Sequence, residues 1–126
     1  MNLFEMLHGG KKDYTKLNYT GYESYLTGER THPADPNGLQ YQFTFSNGYG
    51  ASVIKFSASY GSDSDLFELA VLKDGYLCYS TDITDDVLGY LSNDEVLETL
   101  EKIKNLPSDS DGEGKSDGNN KLSERL

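Results

Sequence analysis

The chain has 126 residues of which 36% are hydrophobic, enough for one core but too few if every residue had to contribute, so part of it is expected to lie outside a single domain. Its formal charge of −10 repels phosphate backbones and speaks against direct nucleic-acid binding, and no run approaches the roughly 18 apolar residues of a membrane span. Met1 to Met6 lacks the basic and apolar regions of a signal peptide, which implies a cytosolic protein, and the lone Cys78 excludes an intramolecular disulfide.

The charge is uneven. Residues 1–56 balance five acids against five bases, whereas residues 57–106 hold eleven acids against Lys73, Lys102 and Lys104, a net −8. Such a field would attract a basic protein surface.

Leu3, Phe4, Met6 and Leu7, stopped by Gly9-Gly10, suit a short N-terminal helix. Residues 11–38 show no clean period; they hold Tyr14, Tyr19, Tyr22 and Tyr25 and end in Pro33, Pro36 and Asn37-Gly38, which read as loop. From Leu39 the pattern sharpens. Leu39, Tyr41, Phe43 and Phe45 alternate with polar residues, and Asn47-Gly48 then favours a two-residue type I′ hairpin. That register pairs Phe43 with Ser52 and Tyr41 with Ile54, and sets Ile54 and Phe56 on the core face with Lys55 outside.

A second hairpin turns at Asp74-Gly75 and pairs Val71 with Cys78 and Leu72 with Leu77. One face carries Phe67, Leu69, Val71, Tyr76 and Cys78, and the other Ala70, Leu72, Leu77 and Tyr79. Both are apolar, so the second face needs cover from the tyrosine segment or a partner, and a homodimer through Ala70, Leu72, Leu77 and Tyr79 is one solution. Cys78 reads as a half-buried strand thiol, since nothing in the pattern brings His8 or His32 beside it. Asp82, Asp85 and Asp86 follow in a stretch that reads as a helical turn capped by Thr84 or Asp82.

Ser92 and Glu95 then form a capping box, with Leu91 and Val96 as its hydrophobic staple. The helix they begin has Val96, Leu97, Leu100, Ile103 and Leu106 on its apolar stripe, Lys102 and Lys104 in its last turn, and Pro107 as its stop. Residues 108–126 contain two apolar residues and read as a disordered acidic tail. Within it, Asp109, Asp111, Glu113 and Asp117 approach a calcium loop, but Asn120 stands where the bidentate Glu is required.

The sum is one α+β domain: an antiparallel four-stranded sheet of two hairpins, a C-terminal helix on one face and a short N-terminal helix. Residues 1–38 form an N-terminal segment, 39–107 the core and 108–126 the tail. The densest acidic cluster is Asp82, Asp85 and Asp86, which adjoins Asp94, Glu95, Glu98 and Glu101 and is expected to be a protein-docking face. No catalytic residue, metal ligand or cofactor motif is evident, so a non-enzymatic binding role is expected. The rival is a small metal-assisted hydrolase using Asp85 or Asp86, which needs a histidine brought near by the fold.

Three stretches, Phe45-Ser46-Asn47-Gly48-Tyr49-Gly50-Ala51-Ser52-Val53-Ile54, Glu68-Leu69-Ala70-Val71-Leu72 and Asp82-Ile83-Thr84-Asp85-Asp86-Val87-Leu88-Gly89-Tyr90-Leu91, carry a resemblance. Over roughly residues 43 to 103 the chain is similar to a group of small uncharacterised bacteriophage and prophage proteins. Those proteins often carry Trp near Phe67, where this chain has none. The resemblance implies a phage accessory protein; the −8 of residues 57–106 adds the expectation of a host defence or nucleic-acid-handling partner in the host cytosol whose basic surface the acidic face would occupy, with a minor virion or assembly role as the other alternative. The resemblance implies no activity and no catalytic residues.

Overall fold

A computed structural model describes residues 13–108. The expected N-terminal helix at residues 1–7, the near-calcium loop and nearly all of the expected tail lie outside the described residues.

The architecture is α+β, an antiparallel sheet with one C-terminal helix on its face. The sheet has six strands rather than four: β1 (Leu26–His32), β2 (Asp35–Thr44), β3 (Tyr49–Lys55), β4 (Phe67–Lys73), β5 (Tyr76–Leu77) and β6 (Leu88–Leu91). Strands β1 to β5 run in sequence order across it, and β6 also pairs with β4. The helix α1 spans Asn93–Lys104.

The two extra strands come from segments without an apolar alternation. Leu26–His32 pairs with β2 as an edge strand, almost wholly exposed, and the turn to β2 is Pro33-Ala34 rather than a loop reaching Gly38. Pro36, Asn37 and Gly38 sit in the irregularity between the Thr31↔Leu39 and His32↔Asp35 pairs, where a proline costs no ladder hydrogen bond. The second addition, β6, replaces the end of the expected helical turn.

The first hairpin closes one residue away from the expected register. Phe45 donates its amide to the Tyr49 carbonyl (2.8 Å), and Gly48 donates to the Phe45 carbonyl (3.2 Å). The loop is therefore Ser46-Asn47-Gly48. Gly48 alone has positive φ (+89°), the three-residue loop with a left-handed closing residue rather than a type I′ turn. Phe43 faces Ala51 and Tyr41 faces Val53, so Ala51, Val53 and Lys55 enter the core while Ile54 turns to the opposite face. A slip of one residue exchanges the faces of a whole strand.

The second hairpin has the expected register, Leu72 with Leu77, with the Cys78 amide on the Val71 carbonyl (2.9 Å) and both Asp74 and Gly75 at positive φ. Cys78 is buried, with its thiol beside the Ser80 hydroxyl (3.5 Å).

Helix α1 begins at the capping box read from the sequence. Glu95 N–H donates to Ser92 Oγ (3.2 Å), and Ser92 N–H donates to Glu95 Oε1 (2.9 Å). Val96, Leu100 and Ile103 are fully buried against Phe43, Val53, Leu69 and Val71 in one core. The tyrosine segment covers the same side of the sheet. Tyr19 meets Tyr41 and Phe43 edge-on, Tyr25 packs on Phe45, and the Leu17 amide donates to the buried Tyr41 hydroxyl (3.1 Å). Asn18 and Asn93 join this segment to the helix start through a reciprocal pair of side-chain to backbone bonds (2.7 and 2.9 Å).

Candidate functional site

The most unusual edge of the molecule is the outer side of β4. Both β5 and β6 pair with it, β5 at Leu72–Lys73 and β6 at Phe67–Leu69. They are two pieces of one interrupted strand. Ten residues, 78–87, lie between them; after Cys78, whose amide still reaches the Val71 carbonyl, the chain leaves the sheet as an excursion held by local bonds, Ile83 N–H to Thr81 Oγ1 (3.2 Å) and Asp86 N–H to Thr84 Oγ1 (3.1 Å). These are hydroxyl-stabilised turns rather than the expected helical turn.

Asp82, Asp85 and Asp86 all lie on this excursion and are exposed. Asp94, Glu95, Glu98 and Glu101 are exposed on α1, but they are not equivalent. Glu95 closes the capping box. Glu101 is engaged by the Tyr22 hydroxyl (2.7 Å), Asn105 (3.1 Å) and Lys104 (3.2 Å), which together hold its carboxyl below the usual range. Burial, with that bond to Glu101, pushes the Tyr22 phenol up to about 12. Among the described residues, Asp82, Asp85, Asp86, Asp94 and Glu98 make no side-chain hydrogen bond or ion pair.

The same edge collects exposed rings. The large hydrophobic side chains left exposed among the described residues are Tyr60, Tyr76, Leu77, Tyr79 and Tyr90. Tyr76 and Leu77 form β5, Tyr79 opens the excursion, Tyr90 is on β6, and the Tyr60 carbonyl accepts the Tyr90 amide (3.2 Å). Of the apolar face considered for a dimer, Ala70 and Leu72 are buried within this chain, and only Leu77 and Tyr79 remain open. The sequence pattern does not mark Tyr60 or Tyr90: their place on this edge depends on where β6 lies, and nothing in the local pattern marks that strand.

No group of three or more His, Cys, Asp or Glu side chains suited to hold a metal occurs among the described residues. His32 stacks on Phe56 at the β1–β2 turn (centroids 3.7 Å apart) and its Nδ1 accepts the Ala34 amide (3.0 Å). An ionic centre forms instead at Lys55, which the expected strand alternation places on the solvent side. Lys55, 1% exposed, donates to Asp65 Oδ1 and to the Thr15 carbonyl (2.9 Å each), and its ammonium lies 3.8 Å from the Phe67 ring centroid.

No protein-family model matches this chain, and no curated protein or solved structure is significantly similar to it.

Proposed function

We propose that the protein is a non-enzymatic binding module whose β4 edge, the 78–87 excursion with its flanking tyrosines, docks a basic protein surface. The observation that carries this reading is the coincidence on one edge of exposed aromatic residues with three unpaired aspartates. Tyrosine supplies large contact area at low entropic cost and is enriched in interfaces, while unpaired carboxylates give charge selection and faster encounter. The net −8 of residues 57–106 acts in the same direction. The resemblance to phage and prophage proteins supports placing the partner in a bacterial host, as a defence or nucleic-acid-handling protein whose basic groove the edge would occupy.

The helix acids have a smaller part in this reading, because Glu95 and Glu101 already serve the fold. A comparative pulldown tests it. The triple variant Asp82→Asn, Asp85→Asn, Asp86→Asn is expected to lose partners that the wild type retains at moderate salt, while Glu95→Gln and Glu101→Gln change stability without changing the partner set. Identical partner sets for the wild type and the triple variant would overturn the proposal.

A further inference from the structure

Tyr60 and Tyr90 are held outward by a backbone junction with no room for extra atoms. The Tyr90 amide donates to the Tyr60 carbonyl (3.2 Å), and the Tyr60 amide donates to Glu68 Oε1 (2.9 Å). A Cβ on Gly61 would lie 2.8 Å from the Tyr90 Cα, and one on Gly89 would lie 2.5 Å from the Tyr60 Cβ. Glycine at both positions lets the two segments meet.

Tyr90 itself has φ of 59°, the left-handed region that a bulky L-residue adopts only at a cost. Glycine would adopt it freely, yet a tyrosine stands there with 63% of its surface exposed. Core packing does not account for it, since neither ring belongs to the core, and neither makes a ring or cation contact among the described residues. Other rings of this chain do receive cations: Lys55 lies over Phe67, Lys73 over Tyr49, and Lys104 over Tyr22 and Tyr25. A strained residue whose side chain stays outside the core and largely exposed points to use at the surface.

We infer that the Tyr60–Tyr90 junction is the anchoring point of the interface and receives a cationic side chain, arginine in preference to lysine, from a basic protein segment lying along the β4 edge. This rests on the reading of the edge given above. Ring faces attract a guanidinium, which stacks on them as well as carrying charge, and the net −8 of residues 57–106 favours a cationic partner over a phosphate backbone. From Phe67 to Lys73, β4 spans about 20 Å, so an extended segment of about six residues would reach from this junction past the excursion to Tyr76.

The test uses a fluorescently labelled arginine–glycine repeat peptide, with lysine–glycine and glutamate–glycine repeats of equal length, measured by anisotropy at physiological salt. Tyr60→Ala and Tyr90→Gly are each expected to weaken the arginine peptide by about two- to fivefold, with no change in protein charge. Tyr90→Gly is also expected to match or exceed the wild-type urea midpoint, because glycine relieves the backbone. The lysine peptide should bind more weakly than the arginine peptide, and the glutamate peptide not at all. Wild-type affinity in both tyrosine variants, combined with loss in the triple aspartate variant, overturns this inference and leaves the edge reading standing. Absence of binding by the wild type, or affinity unchanged in every variant, overturns both. A lowered urea midpoint for Tyr90→Gly with unchanged affinity would make Tyr90 structural and also overturn the inference.

Discussion

A lysine between Ile54 and Phe56 ordinarily marks the solvent side of a strand, yet Lys55 is buried because three groups meet its ammonium: Asp65, the Thr15 carbonyl and the Phe67 ring. The two partners of this ion pair are not alike. Asp65 is 45% exposed, and although burial alone would raise its carboxyl, bonds from Thr15 and Lys55 hold it below the ordinary value. Removing the lysine leaves an aspartate that water can reach; removing the aspartate charge leaves a buried ammonium short of its counter-ion. Asp65→Asn is therefore expected to cost about 3 kcal/mol or more, and Lys55→Met no more than about 1 to 2 kcal/mol, in urea unfolding. Asparagine tolerates the positive φ of Asp65 (59°), so backbone strain does not confuse the comparison. Equal costs would show that the pair is not asymmetric in this way.

Helix α1 is fastened at both ends by different means. Its start is local: Ser92→Ala removes one half of the capping box and is expected to cost about 0.5 to 2 kcal/mol in urea unfolding. Its end is closed from a distance, because Asn47 in the β2–β3 loop directs its amide at the carbonyls of Ile103, Lys104 and Leu106 (2.9 to 3.1 Å) while its Oδ1 accepts the Tyr49 amide (2.9 Å). Two amide hydrogens shared among three carbonyls keep this cap intact through small shifts. Asn47→Ala should cost about 1 to 3 kcal/mol. Asn47→Asp should cost more, since it sets a carboxylate against carbonyls at the negative end of the helix dipole. A milder effect of Asn47→Asp in the same measurement would remove Asn47 from this role. This contrast explains what was legible in the sequence. The capping box and the Asp74-Gly75 turn were readable because all their partners lie within a few residues. Asn47-Gly48 reads as a two-residue type I′ turn, and the hydrophobic pattern does not correct it because Val53, Ile54 and Phe56 are all apolar and the alternation fits either face. The polar residue that decides the register is Lys55, and its partners lie 10 and 40 residues away. Strand β1 was illegible for another reason: an exposed edge strand needs no apolar face. Its Glu29 and Arg30 and its irregular pairing suit an edge that discourages addition of another strand. The aspartates of the candidate site were evident as a cluster, whereas its tyrosines are joined to it only by the fold.

For the whole molecule, the sheet, the N-terminal segment and the helix are tied together by groups that titrate, and this sets the pH range of stability. Asn37 and Ser57 hold the Asp35 carboxyl low, bonds from Thr15 and Lys55 overcome burial at Asp65, and the Tyr22 hydroxyl leads the contacts on Glu101. Lowered carboxyl values add stability that is complete above the ordinary range of about 4 and is lost as pH falls through the folded-state values. Tyr22 has the opposite sign: raised to about 12, it adds stability below the ordinary phenol value of about 10 that is lost as pH rises through 12. The urea midpoint is therefore expected to be flat from about pH 5 to 9 and to fall on both sides. Tyr22→Phe should flatten part of the alkaline fall, and an unaltered alkaline profile would count against the Tyr22–Glu101 tie. The interrupted edge has a different kind of consequence, one for how such a chain can change. Leu72 pairs with Leu77 and Leu69 with Leu88, so three steps along β4 correspond to eleven residues on the other side, eight more than an unbroken strand would use. Eight is even. Excising residues 80–87 would bring Leu88 opposite Leu69 with every side chain still on its own face, so the acidic segment is a cassette that can be lengthened, shortened or exchanged while the scaffold stays constant.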